Sequence, residues 1–164
     1  MRNYSAEPAK SRLNSLKPTA KDDIIVSGAL DPYSGRAQAH NARYYASVRK
    51  MSTDCERIAK HTGLPIDLVK KAKNHLFMTK HKLEYSDEPE YFYPDSYIAQ
   101  SWQRLSDKNM KLKPHDIVLI YHEALESDYM AKGYSQPDAH ELANKKYSYQ
   151  KALDLYLKGR KNNL

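Results

Sequence analysis

The sequence predicts a mainly α-helical protein, folded as a compact bundle of about six helices. Apolar residues recur at helical spacing over most of the chain, proline or a capping residue opens most of these stretches, and glycine closes two of them. Within the predicted helical domain, residues 78–94 lack a helical period. Apolar side chains alternate there, which predicts one small β-hairpin.

The first two helices are predicted from the residues at their ends. Asp31 and Pro32 supply an N-cap and a first helical residue. Thr53 and Glu56 have the spacing of a capping box, which opens the second helix. That helix ends at Gly63, because glycine readily adopts the left-handed conformation found after a helix C-terminus.

Four further helices follow from the same signals. Pro65 opens the third helix, and Asp95 caps the fourth. Pro114 begins the most apolar helix, which Gly133 closes. Ser135 caps the last one, which is expected to continue to about residue 157.

Length and charge indicate one domain with basic ends. The chain has 164 residues, and its 27 Lys and Arg against 20 Asp and Glu give a net charge of +7. We expect a flexible N-terminal arm at residues 1–30, a single helical domain at 31–158 and a basic tail at 159–164. The basic excess favours an anionic partner such as nucleic acid, and a basic surface kept for solubility explains it equally well.

Composition also bears on the compartment. A mean hydropathy of -0.86 and the lack of a long apolar run exclude a membrane-spanning helix, so we expect no membrane partner. The single cysteine, Cys55, excludes an internal disulfide, and residues 1–23 have no signal-peptide pattern. These observations predict a cytoplasmic protein.

The stretch CERIAKHTGLPIDLVKKAKNHLF resembles the helix-turn-helix motif of DNA-binding proteins. Gly63 lies at the expected turn, and apolar residues on both sides have the spacing that holds two helices at their crossing angle. The second helix of such a motif enters a DNA groove. The residues predicted to contact nucleic acid are Lys70, Lys71, Lys73 and Asn74.

A second group of polar residues lies on the helix that Pro114 opens. His122 and Glu126 are four residues apart on one helical face, and Glu123 lies beside them. A histidine with such a carboxylate can act as a general base with its orienting group, or bind a divalent metal ion. The metal alternative needs further ligands, and its candidate set is His115, His122, Glu126 and His140.

Histidine, arginine and glutamate together are also the residues of a metal-independent ribonuclease. In this hypothesis His122 is the base, Glu126 or Glu123 orients it, and Arg104 and His75 bind the phosphate. An enzyme would bring these side chains together within about 6 Å in a cleft. The alternative is that they are ordinary hydrogen-bonded residues at the boundary of the core.

Five stretches, in this order, resemble a domain found at the C-terminus of some phage minor head (head morphogenesis) proteins and polymorphic-toxin-like proteins. They are DPYSGRAQAHNARYYASVRK, TGLPIDLVKKAKNHLF, YPDSYIAQSWQRL, HDIVLIYHEALE and DAHELANKKYSYQKAL, covering about residues 28–155. The resemblance implies a phage or mobile-element setting, and a toxin-like domain implies cleavage of nucleic acid. The positions that match its polar pattern are His75, His81, Arg104, Asp116, His122, Glu123, Glu126 and His140.

The sequence therefore favours a small helical protein that acts on nucleic acid as a His-dependent nuclease or toxin-like domain. One alternative is a non-enzymatic helix-turn-helix protein that binds DNA. The other is a structural module of phage origin that binds a protein partner.

Overall fold

Seven α-helices and one π-helical turn form the part of the chain that the computed structural model describes, residues 34–162. This confirms the mainly helical fold class. None of the helices in this range is long and apolar enough to cross a membrane. The predicted arm at residues 1–30 lies outside the described range, as do Asp31 and Pro32. The helices are α1 (Gly35–Lys50), α2 (Asp54–Thr62), α3 (Ile66–Lys73), α4 (Ser96–Ser106), α5 (Pro114–Ala131), α6 (Gln136–Lys146) and α7 (Tyr149–Asn162).

The beginnings of α1 and α2 differ from the prediction. Within the described residues, α1 is capped by Ser34, whose hydroxyl accepts a hydrogen bond from the Ala37 amide at 3.1 Å. The capping box predicted at Thr53 is wrong. The Thr53 backbone has φ -118° and ψ 2° rather than the extended conformation of an N-cap, and its side chain caps nothing.

The turn between α2 and α3 follows the prediction. Gly63 has φ +77°, the left-handed conformation, and its amide donates to the Ala59 carbonyl at 2.8 Å. After Lys73 the chain continues as a π-helical turn over Asn74–Met78. This wider turn lets three successive residues, His75, Leu76 and Phe77, all be buried.

The hairpin predicted in residues 78–94 is wrong. One antiparallel bridge joins His81 and Glu90, through amide-to-carbonyl distances of 2.8 and 2.9 Å. The Leu83 carbonyl accepts from the Ser86 amide, and the Leu83 amide donates to the Ser86 hydroxyl. Because these groups close a local turn, they are not available to extend the pairing into two strands.

Helix α5 is the centre of the bundle. It packs against α3, α4, α6, α7 and the π-helical turn. It begins at Pro114 as predicted, and the apolar face of α4, formed by Ile98, Trp102 and Leu105, is fully buried. Phe77 also packs edge-on against Trp102 at 4.9 Å between ring centroids.

The long helix predicted after Ser135 is divided in two, which raises the number of α-helices from six to seven. Tyr147 has φ -134° and ψ 90°, outside the helical region, and α7 begins at Tyr149. The Tyr147 carbonyl lies 2.8 Å from Nδ1 of His122 on α5. At the other end, α7 runs to Asn162, so residues 159–162 are helical rather than a separate tail.

Candidate metal centre and surroundings

Glu126 is the centre of a buried group of histidines. Its Oε1 atom lies 3.0 Å from Nε2 of His75, which the π-helical turn carries. Its Oε2 atom lies 3.0 Å from Nε2 of His122 and 2.9 Å from Nδ1 of His140. Gln136 at the start of α6 donates to Oε1 at 3.2 Å. One carboxylate therefore joins α5, α6 and the π-helical turn.

Neighbouring groups orient the two histidines on the Oε2 side. Nδ1 of His122 donates to the Tyr147 carbonyl at 2.8 Å, which leaves Nε2 without a hydrogen when the ring is neutral. On the His140 ring, Nε2 contacts the Asn144 side-chain amide at 3.1 Å. The inward-facing atoms are thus Nε2 of His122, Nδ1 of His140 and Oε2 of Glu126.

The centre places two carboxylates beside imidazoles, an arrangement that a bound cation would stabilise. Nε2 of neutral His122 presents a lone pair to Oε2 of Glu126 3.0 Å away, and a hydrogen on Nδ1 of His140 or a metal ion near both atoms offsets their repulsion. Glu123 adds a second carboxylate, with Oε2 3.9 Å from Nε2 of His75. Protonated imidazoles balance two carboxylates, and so does one divalent ion.

The spacing of the ligand atoms fits such an ion. The nitrogen atoms of His122 and His140 are 3.2 Å apart, and each is about as far from Oε2 of Glu126. Metal bonds of roughly 2.0–2.2 Å place neighbouring ligand atoms roughly 3.0–3.5 Å apart. Two histidines and one carboxylate suit Zn²⁺, Fe²⁺ or Mn²⁺. The hydrogen bond from His122 to a backbone carbonyl is the usual support of a metal-binding histidine.

A second group of the same kind shares Glu126. His75, Glu123 and Glu126 bring one ligand atom each within 4.8 Å of one another, as do His122, Glu126 and His140. The two oxygens of Glu126 face the two groups separately. A carboxylate in this position can bridge two ions.

The structure brings some of the predicted site residues together and places others elsewhere. His75, His122, Glu123 and Glu126 do lie together, and His140 completes the group. Instead of lining an open cleft, the first four side chains are buried, with exposures of 0–2%. Only His140 reaches the surface, with 13% of its side chain exposed.

Arg104 and His115 do not belong to the centre. Arg104 forms a two-pronged ion pair with Asp116, at 2.8 Å from both carboxylate oxygens. Its Nη2 also donates to Nε2 of His115 at 3.1 Å. His115 lies seven residues before His122, so this pair is about 10 Å away along the axis of α5. Arg104 and His115 therefore lie outside the buried group around Glu126, unlike the prediction.

One of the four residues predicted to contact nucleic acid is not on the surface of the protein. Lys73 is buried: its Nζ lies 2.7 Å from Oδ1 of Asp54 and donates to the Met51 carbonyl at 2.8 Å. Lys70, Lys71 and Asn74 are exposed, as a contact surface requires. Of these, Lys71 forms an exposed ion pair with Asp128 on α5.

Sequence reasoning missed two residues that support the ligands, Gln136 and Asn144. They lie four residues before and after the predicted ligand His140, so all three share one face of α6, and that spacing identifies them in retrospect. His81 donates from Nε2 to the His75 carbonyl at 2.8 Å and packs on the His75 ring. Every residue has a backbone carbonyl, so the sequence does not indicate that the Tyr147 carbonyl is the one that supports a ligand.

No family model, curated protein or solved structure matches this chain. The resemblance to phage minor head proteins and toxin-like proteins therefore stays a prediction.

Proposed function

We propose that the protein binds a divalent metal ion through His122, Glu126 and His140 and uses it to cleave nucleic acid. The observation that carries this proposal is the convergence of the two imidazole nitrogens on one oxygen of a buried glutamate. The net charge of +7 supports a polyanionic substrate. A bound ion would polarise the phosphoryl group and activate water.

Each surrounding residue has a definable part in this proposal. The Tyr147 carbonyl holds the His122 ring with Nε2 directed inward, and Gln136 holds the other oxygen of Glu126. Glu123 and His75 supply a carboxylate and an imidazole next to the ligands, which are the groups that proton transfer needs. Because only His140 is partly exposed, the substrate would approach from the α6 side.

The test uses the full chain, stripped with a chelator and reloaded separately with Zn²⁺, Mn²⁺ or Mg²⁺. We expect retained metal after desalting, and metal-dependent cleavage of single-stranded RNA, single-stranded DNA or duplex DNA. Glu126→Gln and His140→Gln should each lose metal binding and cleavage while the far-UV circular dichroism spectrum stays helical.

The matched control is Glu141→Gln, which removes an exposed carboxylate next to His140 on the same helix. This variant should keep both properties. Wild-type protein that retains no metal contradicts the metal site. If the protein retains metal but cleaves nucleic acid under none of these conditions, the result contradicts the nuclease activity but not the metal site.

The exposed face of α3 favours a second candidate function, DNA binding without catalysis. Two short helices joined at Gly63 place Lys70, Lys71 and Asn74 on the surface, where lysines can contact phosphates. In this candidate the His/Glu centre has only a structural role, and the protein needs no metal to bind.

Salt dependence tests this candidate. The Lys70→Ala/Lys71→Ala variant should bind duplex DNA more weakly, and its plot of log affinity against log salt should be shallower by about two. Lys145→Ala/Lys146→Ala removes the same charge from the exposed end of α6 and should leave the affinity nearly unchanged. Equal losses in both variants would mean that only net charge matters.

A further inference from the structure

A separate cavity of about 370 Å³ lies between α4, the beginning of α5 and the end of α7. Its volume is at the lower end of the range for small-molecule sites. It lies at the Arg104–Asp116 pair rather than at the His/Glu centre. Its charged and aromatic lining includes Arg104, Lys111, Lys113, His115, Tyr156 and Arg160.

The lining of this cavity is strongly basic. It contains four permanent cations and no carboxylate. Within residues 34–162, Asp116 pairs with Arg104, whereas Lys111, Lys113 and Arg160 form no ion pair. Cations that line one cavity repel each other. An anion bound between them is attracted to all of them, and this attraction offsets the repulsion.

The Arg104 side chain is held in place with one end still available. Asp116 binds its Nε and Nη2 atoms, and Nη2 also contacts Ser101 and His115. Nη1 has no hydrogen-bond partner among the described residues, and Arg104 lines the cavity. A guanidinium fixed in this way can donate to a ligand without losing much side-chain freedom.

His115 gives a second indication that the cavity binds a ligand, and this indication does not depend on the number of lining cations. Burial lowers its pKa to about 4, so the ring is neutral at pH 7. Because Nε2 accepts from Arg104, the hydrogen is on Nδ1, and this buried atom has no acceptor among the described residues. An unsatisfied buried donor is costly and is typical of a site that awaits a ligand or water.

We propose that this cavity binds the terminal phosphate of a nucleotide, either free or at the end of a nucleic acid. A phosphate monoester has two negative charges and several acceptor oxygens, which match the Arg104 guanidinium and the three lining cations that form no ion pair within the described residues. Tyr156 forms one wall, with Lys113 over its ring and His115 packed 5.0 Å away. The site does not depend on the proposed metal centre.

Titration calorimetry on the full chain tests the site with adenosine 5′-monophosphate, adenosine and inorganic phosphate. The monophosphate should bind at least ten-fold more tightly than adenosine. Two further probes, a short oligonucleotide with and without a 5′-phosphate, tell a free nucleotide from a nucleic-acid end. A preference for the phosphorylated oligonucleotide over the monophosphate assigns the cavity to a nucleic-acid end.

The Lys111→Ala/Arg160→Ala variant should weaken monophosphate binding at least ten-fold without unfolding, since both side chains are exposed and form no ion pair within the described residues. Lys145→Ala/Lys146→Ala, with the same change of charge elsewhere, should bind like wild type. Glu126→Gln should bind normally too, which separates this site from the metal centre. Equal binding of the monophosphate and adenosine, or equal losses in both double variants, would overturn the proposal.

Discussion

At Glu126 one carboxylate determines how three separate parts of the chain meet. It contacts His75 from 51 residues earlier, His122 from the preceding turn of α5, and His140 from α6. A buried carboxylate is costly unless it is paired, so each of these contacts offsets part of that cost. The same arrangement that pairs the carboxylate without metal also places two imidazole nitrogens and a carboxylate oxygen at the spacing that the proposed metal site needs.

His115 predicts a pH dependence of stability. Its pKa is about 4 in the folded protein, mainly because of burial, and about 6.5 in an unfolded chain. Arg104 and Lys113 lower this pKa further, whereas Asp116 opposes them. Between pH 6.5 and 4 the unfolded chain therefore binds more protons, and acidification destabilises the fold, by up to about 3 kcal/mol from this residue.

The measurement is urea unfolding at several pH values between 4 and 7, comparing wild type with His115→Gln. Glutamine offers Arg104 an acceptor but does not titrate, so the variant should lose less stability on acidification than wild type. Subtracting the free energy of unfolding of the variant from that of wild type at each pH removes the contribution of the other histidines. Identical slopes for the two proteins would contradict a low pKa at His115.

At the scale of elements, most of the signals predicted at helix ends are present in the structure. Pro114 begins α5, Asp95 caps α4 by accepting from two amides, and Gly63 ends α2. The capping box predicted at Thr53 is absent because the Thr53 backbone is not in the extended conformation of an N-cap, and its hydroxyl accepts from the Arg57 side chain instead of a backbone amide. Residue type alone does not determine that conformation.

Two glycines give opposite predictions for substitution by alanine. Gly63 has φ +77°, so Gly63→Ala should destabilise the protein by about 1 kcal/mol, although its Cβ would meet nothing within 4 Å. Gly159 lies within α7 with equal space, so Gly159→Ala should stabilise by roughly 0.5–1 kcal/mol. Chemical unfolding of both variants checks the pair. A loss of stability in both would point to packing rather than backbone conformation.

Two element boundaries were beyond sequence reasoning because tertiary contacts determine them. The residues around Tyr147 continue the apolar pattern of the preceding helix, yet the helix breaks there and its carbonyl binds His122. The π-helical turn likewise follows a continuous helical pattern, and it buries His75 against Glu126 and Phe77 against Trp102. Both irregular places orient side chains of the candidate centre.

For the whole molecule, sequence spacing predicted which residues of α5 lie together but not which residues of other elements join them. His122 and Glu126 share a helix face whatever the tertiary fold, so their proximity was predictable. Whether His75 or Arg104 would join them depends on how the helices pack. In the structure His75 does, and Arg104 pairs with Asp116 instead.

The proposed metal site predicts a stability change for the whole molecule, because its three candidate ligands come from α5 and α6 and are assembled only in the folded chain. At a free ion concentration 100 times the dissociation constant, an ion bound to the folded state adds about 2.7 kcal/mol. For a domain of this size the melting temperature should rise by roughly 5–10 °C. Differential scanning calorimetry of chelator-stripped protein with added Zn²⁺ or Mn²⁺ measures this rise.

His140→Gln should abolish the rise in melting temperature and Glu141→Gln should retain it, because only the first variant removes a proposed ligand. A rise of the same size in His140→Gln would place the ion elsewhere on the protein.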